Sequence, residues 1–179
     1  LKADVLIEAL QWIRQFRGKI TVIKLGGSVM EDARAMTHLL LDVVFMETVG
    51  MWPVIVHGGG AAISRGMAEA GLEARFIQGR RYTDDATLRI VERVLAGDVN
   101  RQLARQINEL GGAAAPLRFE TSNVLFGERI QLEQEGGPPI DLGHVGQVTR
   151  VDCDKIKQLC GECVVPVIPS MCITDDGEK

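Results

Sequence analysis

Twice within its first 60 residues the chain repeats one pattern: a β-branched run, consecutive glycines, then helical periodicity. Ile20-Thr21-Val22-Ile23-Lys24-Leu25 ends in Gly26-Gly27-Ser28. Amphipathic spacing follows from Ala33 to Thr48, with Met36, Leu39, Leu40, Val43 and Val44 on the inner side. Pro53-Val54-Ile55-Val56-His57 then ends in Gly58-Gly59-Gly60, and a shorter helix runs to Ala70. This alternation predicts an α/β fold: a mainly parallel sheet sandwiched by helices. Ligands of such folds gather at the carboxyl ends of the strands, where both glycine loops fall.

The rest of the chain fits the same class. A helix is expected from about Asp4 to Phe16, with Val5, Ala9, Trp12 and Phe16 in one stripe and Gly18 as its stop. A long helix is expected from Asp85 to Leu110, with Gly97 marking a bend. Ala113–Leu117 reads as a strand, and Val124–Leu132 as a β-hairpin turning at Gly127-Glu128. Gly136–Pro139 reads as a loop and Val145–Val151 as a further strand. Asp152 or Asp154 is expected to cap a short helix ending near Cys160; Val164–Ile168 is the last strand, and Asp175–Gly177 a turn. The 179 residues suit one domain of ordinary size.

Charge and composition exclude several function classes. With 20 basic and 24 acidic residues the net charge is −4, which leaves no cationic excess for nucleic acid. Aromatic residues are only 4%, too few for a stacking platform for sugars or single strands. No apolar run approaches the roughly 20 residues of a membrane span, and Leu1-Lys2-Ala3-Asp4 does not open a secretory signal. A cytoplasmic location is the expectation. Cys153, Cys160, Cys163 and Cys172 all fall in the final 27 residues; they are expected to be reduced and mostly buried rather than a disulfide framework or a zinc site.

Three segments carry candidate chemistry, each with a plainer structural alternative. Lys24 at a strand end, followed by Gly26 and Gly27, places a cation beside backbone N–H groups that a phosphate can approach; the alternative is a tight turn beside a surface lysine. Gly58-Gly59-Gly60 offers a second anion cradle at the same sheet edge, or a sharp turn after a satisfied histidine. In Gly79-Arg80-Arg81-Tyr82-Thr83-Asp84, one arginine suits a carboxylate, while Thr83 or Asp84 suits a helix cap. His38, His57 and His144 are too dispersed to argue for a metal site.

Together, Val22–Ser28, Val54–Gly60 and Gly79–Asp84, then Asp141-Leu142-Gly143-His144-Val145-Gly146-Gln147-Val148 and Val165–Gly177, resemble the amino acid kinase family, and within it the acetylglutamate kinases. The resemblance implies ATP-dependent phosphorylation of the side-chain carboxylate of N-acetyl-L-glutamate, a step of arginine biosynthesis, with magnesium accompanying ATP. It implies that Lys24 stabilises the transferring phosphoryl group and that Gly26 and Gly27 line the phosphate path. Gly59 and Gly60 would hold the acetylglutamate, and Arg81 its α-carboxylate. It divides the chain into an N-terminal helix, residues 1–18, available for contacts in a homo-oligomer, and an acetylglutamate-binding lobe, residues 19–179. The family's nucleotide-binding lobe is expected beyond Lys179, which makes this chain an incomplete enzyme. A non-catalytic dimerisation or regulatory module, and the arginine-binding kinase-like domain of an acetylglutamate synthase, are the alternative readings. Ala61 departs from the family's proline, and Pro116, Arg118 and Phe119 stand where the family has a glycine-rich turn.

Overall fold

The structure, a computed structural model, describes residues 2–118, 122–134 and 136–177. Phe119 lies outside them. The chain opens with α1 (Lys2–Phe16), followed by β1 (Ile20–Leu25), α2 (Gly27–Glu31), α3 (Ala33–Thr48), β2 (Trp52–His57) and α4 (Gly60–Glu69). A small hairpin, β3 (Phe76–Ile77) and β4 (Arg80–Arg81), leads into α5 (Asp85–Val91), a π-helical stretch (Glu92–Val99) and α6 (Asn100–Glu109). Then come β5 (Ala114–Pro116), β6 (Leu125–Leu132), β7 (Ile140–Val151), α7 (Cys153–Gly161) and β8 (Val165–Pro169).

The central sheet runs β1-β2-β8-β5 with every pairing parallel, as the strand–loop–helix alternation predicts. Its two faces are covered by different helices. Leu25, Ile55, Val165 and Val167 pack against Met36, Leu40 and Val43 of α3 and Leu103, Ala104 and Ile107 of α6. On the other face Val54 and Ile168 meet Ile156 and Cys160 of α7, with Leu117 and Val124. Ile63 and Met67 of α4 form a third cluster with Ile90, Val94 and Leu95.

Three expectations need correction. The hairpin does not turn at Gly127-Glu128: β6 runs straight through this pair and is matched antiparallel by β7, Leu125 opposite Val151 and Leu132 opposite Ile140. Gly127 is needed there because a Cβ would strike the Gln147 carbonyl and the Cys172 sulfur, and the register shifts at Phe126/Gly127. The connection lies instead between Leu132 and Ile140, around Gly136 at φ 74. Second, the long helix is not α-helical throughout: it widens into a π-helical stretch across Glu92–Val99, which contains Gly97. Third, the cysteines are free but not mostly buried: Cys160 is buried, Cys172 half-buried, and Cys153 and Cys163 exposed. Cys163 stands at φ 58 in the turn after α7, which turns it out of the core.

Candidate functional site

Parallel pairing sets both glycine loops at one end of the sheet. Leu25 is in register with His57, and the Gly58 N–H donates to the Leu25 carbonyl at 3.1 Å. The chain leaves β2 through Gly58 and Gly59 and enters α4 at Gly60. No side chain caps α4, so its first N–H groups face the loop without an intrahelical acceptor. Gly59 also lets the loop pack closely on the π-helical stretch, since a Cβ there would stand 2.8 Å from Leu95 Cδ1.

His57 supports this loop from below. It is fully buried at the end of β2. Its Nδ1 donates to the Gly58 carbonyl at 3.0 Å, and its Nε2 accepts from Asn100 Nδ2 at 3.0 Å. Asn100, equally buried, donates also to the Val167 carbonyl at 2.9 Å. One amide thus ties the end of β2 and the middle of β8 to α6. Burial pushes the His57 imidazole below its ordinary value, while its bond to Gly58 pulls the other way. His57 is therefore a neutral support rather than a charged ligand group. Asn100 was not among the expected site residues. Its signal was present: a polar residue three before Leu103 and seven before Ile107 sits on the apolar stripe of the helix.

Arg81 enters from the β3–β4 hairpin. Its Nη2 donates to Ser64 Oγ at 2.8 Å and to the Gly60 carbonyl at 3.2 Å, and its Nη1 lies 3.1 Å from Met67 Sδ. The guanidinium also stacks over the Phe76 ring at 4.7 Å. Every one of these partners is uncharged, and among the described residues no carboxylate meets it. Burial lowers its pKa from the ordinary value, yet arginine remains protonated. A half-buried cation held by neutral groups beside uncapped N–H groups has the charge and donors to hold an anion. Asp84, the other candidate in that segment, takes the structural role: its carboxylate caps α5 by accepting from the Thr87 N–H at 2.8 Å, which lowers its pKa.

Gly58, Gly59, Gly60 and Arg81 line one cleft of about 400 Å³, closed on the far side by Gly127, Arg129, His144 and Gly146 of β6 and β7 and floored by Ser170 and Met171. Ile63, Leu88, Val91 and Leu95 supply its apolar surface. The volume suits a small organic ligand. A neighbouring groove of about 410 Å³ contains Gly27 and shares Gly59 with the cleft; Glu31 and Arg65, 3.4 Å apart, stand across it.

The expected residues therefore separate. Gly59, Gly60 and Arg81 share the cleft, and Gly27 joins Gly59 in the adjoining groove. Lys24 and Gly26 line neither. Lys24 is opposite Val56, one residue from the strand end, and its side chain is exposed on the side of β1 shared with Ile20 and Val22. The helix directly behind Gly26 and Gly27 is the five-residue α2, not the long α3. The N-terminus of α3 comes later and is occupied by its own cap, Asp32, which accepts from the Arg34 and Ala35 N–H groups at 2.9 and 3.0 Å. Among the described residues no group of three or more His, Cys, Asp or Glu side chains is placed to hold a metal ion, and no helix is long and apolar enough to cross a membrane.

Comparison with known proteins gives the same picture. Residues 19–179 match the model of the amino acid kinase family. An acetylglutamate kinase of Caldanaerobacter subterraneus subsp. tengcongensis is 42% identical over 99% of this chain and 58% of its own length. One from Akkermansia muciniphila is 41% identical over 93% of this chain and 56% of its own. The chain thus spans little more than half the length of these relatives. Among solved structures, smu.665 from Streptococcus mutans UA159 superposes with a TM-score of 0.76 at 25% identity, over 89% of this chain and 61% of that one. The N-acetylglutamate synthase from Neisseria gonorrhoeae, complexed with coenzyme A and N-acetyl-glutamate, superposes equally at 0.76 and 20% identity, over 97% of this chain and 38% of that one. With its parallel sheet, its paired glycine loops and a family match over nearly its whole length, this chain belongs to the amino acid kinase family.

Proposed function

We propose that this chain is the acceptor-binding lobe of an acetylglutamate kinase, which moves the γ-phosphoryl group of ATP onto the side-chain carboxylate of N-acetyl-L-glutamate. A carboxylate oxygen forms the new bond to phosphorus, the bond from phosphorus to the β–γ bridging oxygen breaks, and ADP leaves with that electron pair. Such transfers depend mainly on positioning and charge neutralisation. In this reading Arg81 holds the α-carboxylate and the Gly59–Gly60 N–H groups hold the other end of the acceptor. Lys24 and the Gly26–Gly27 backbone serve the phosphate side. Magnesium travels with the nucleotide, and no residue of this chain is assigned to hold it. The relatives favour a kinase over the synthase, which shares the fold at 20% identity against 42%.

The observation that carries the reading is Arg81: a cation fixed by four uncharged contacts, facing a cleft of substrate size. Calorimetry on the 179-residue chain is expected to show binding of N-acetyl-L-glutamate that weakens about tenfold or more in Arg81→Ala, the size expected for a lost hydrogen bond to a charged group. Equal affinities in the two proteins would defeat it. Residues 1–18 are assigned to homo-oligomer contacts, a separate element of the same proposal.

A further inference from the structure

A single hydroxyl ties Arg81 to the helix behind the glycine loop. Ser64 lies in α4, one turn beyond Gly60, and is half-buried. A guanidinium can only donate, so Ser64 Oγ accepts from Arg81 Nη2 at 2.8 Å. A serine hydroxyl has one proton to give, and Ser64 gives it to the Gly60 carbonyl at 3.0 Å. Arg81 Nη2 reaches the same carbonyl at 3.2 Å, which closes a triangle of hydrogen bonds. The contact from Nη1 goes to the Met67 thioether, a weak acceptor that an anion displaces.

The two sides of this triangle differ in rigidity. α4 is firmly seated: Ile63 and Met67 are buried against Ile90, Val94 and Leu95. Gly66 brings the helix so near the π-helical stretch that a Cβ there would stand 2.9 Å from Val94 Cγ2. Arg81, by contrast, comes from a hairpin with only two residues in each strand, and its stacking partner Phe76 is 56% exposed. Strands this short hold little by themselves. The backbone is anchored two residues further on, where the Thr83 N–H donates to the Leu142 carbonyl at 3.0 Å. That anchor leaves the long arginine side chain free to swing, so the bond to Ser64 sets where the guanidinium stands.

We propose that Ser64 is a positioning residue: its hydroxyl sets the span between the Arg81 guanidinium and the first N–H groups of α4, and so fixes the length of dicarboxylate that the cleft accepts. This rests on the assignment of the cleft to N-acetyl-L-glutamate and goes beyond it by naming what measures the acceptor. One end of the ligand meets Arg81 and the other meets the Gly59–Gly60 N–H groups. Both anchors are referred to one helical turn, Gly60 to Ser64. An acceptor shorter by one methylene reaches both only if the guanidinium moves, and moving it breaks the bond to Ser64. One methylene is ordinarily worth about 10–200-fold in discrimination. A site keeps that discrimination when its anchors are held in advance, because a loose arginine follows the shorter ligand.

The test compares N-acetyl-L-glutamate with N-acetyl-L-aspartate, one methylene shorter, by calorimetry on the 179-residue chain. The wild type is expected to prefer the longer acid by about tenfold or more. Ser64→Ala is expected to cut that ratio severalfold, and Ser64→Thr, which keeps the hydroxyl, to restore most of it. The ratio separates positioning from damage, since a loss of folded protein weakens both acids alike. Alanine favours a helix more than serine does, so Ser64→Ala keeps α4. Proton–nitrogen spectra of the arginine side chains add a readout without ligand: the Arg81 Nη2 hydrogens are expected to resolve from the other arginine signals and to rejoin them in Ser64→Ala. An unchanged ratio in Ser64→Ala, an equal loss in Ser64→Thr, or a wild type that binds the two acids equally overturns this inference. The Arg81 assignment then still stands where Arg81→Ala weakens binding. A wild type that binds neither acid overturns both.

Discussion

At the scale of the residue, the least visible contributor is the buried pair His57 and Asn100. Replacing Asn100 by alanine strands one buried acceptor, the His57 Nε2, while the Val167 carbonyl keeps its bond from the Leu117 N–H at 2.8 Å. The expected loss is about 1–3 kcal/mol in urea unfolding, the cost of one unsatisfied buried group. The pair also gives the fold a defined response to acid. Burial places the folded-state pKa of His57 below its ordinary 6.5, so the unfolded chain takes up the proton first. Stability is complete above the unfolded value and declines as pH falls beneath it, until the folded imidazole protonates too. Relative to His57→Gln, the wild type is expected to lose up to about 1.4 kcal/mol per pH unit below that point. Parallel pH slopes for the two proteins would show that His57 does not titrate differently on folding.

At the scale of the element, legibility in the sequence followed the range of the interactions that fix each element. Ile20–Leu25 and Ala33–Thr48 coincide with β1 and α3, because periodicity, a glycine stop and the Asp32 cap are all local. The small hairpin around Arg81 left only a faint mark: its turn needs positive φ at both Gln78 (φ 47) and Gly79 (φ 77), and glutamine is not a usual signal for that turn. Neither the π-helical stretch nor the partnering of β6 with β7 was legible. The path of β6 depends on residues far apart in sequence, as when Gly127 meets Cys172. The site divides likewise. The glycine loops were readable, whereas the Asn100 bonds to His57 and Val167 exist only once α6 meets the sheet, and the His144–Asp85 bond only once β7 reaches Thr83. That dependence is testable at Gly143. Gly143→Ala combines a left-handed backbone with a collision at the Thr83 carbonyl, and is expected to cost about 2 kcal/mol or more in thermal or urea unfolding. A variant as stable as wild type would show that the strand can slide away from Thr83 without loss.

At the scale of the whole molecule, the apolar surface is unevenly distributed, and α1 carries much of what remains uncovered. Val5 and Ile7 are 63% and 62% exposed, and Trp12 is 56% exposed, its ring stacked on Phe16 at 6.3 Å. Ala9 and Ile13 of the same helix are half-buried. These exposures argue against α1 simply packing on its own sheet. A 15-residue helix is marginal in water without a packed face, so an apolar face this open calls for a partner. We propose that the partner is a second copy of the chain, with Trp12, Ile13 and Phe16 as the contact. Burying side chains of this size contributes about 1.5–3 kcal/mol each, enough for two helices to hold a dimer. Light scattering on the 179-residue chain is expected to give a multiple of 19.5 kDa that at least halves when residues 1–17 are deleted. Trp12→Ala combined with Phe16→Ala should move the same equilibrium toward the smaller species at low concentration, with the circular dichroism of the sheet intact. A mass indifferent to the deletion would assign the exposed face of α1 to some other contact and remove helix-mediated assembly from the proposal.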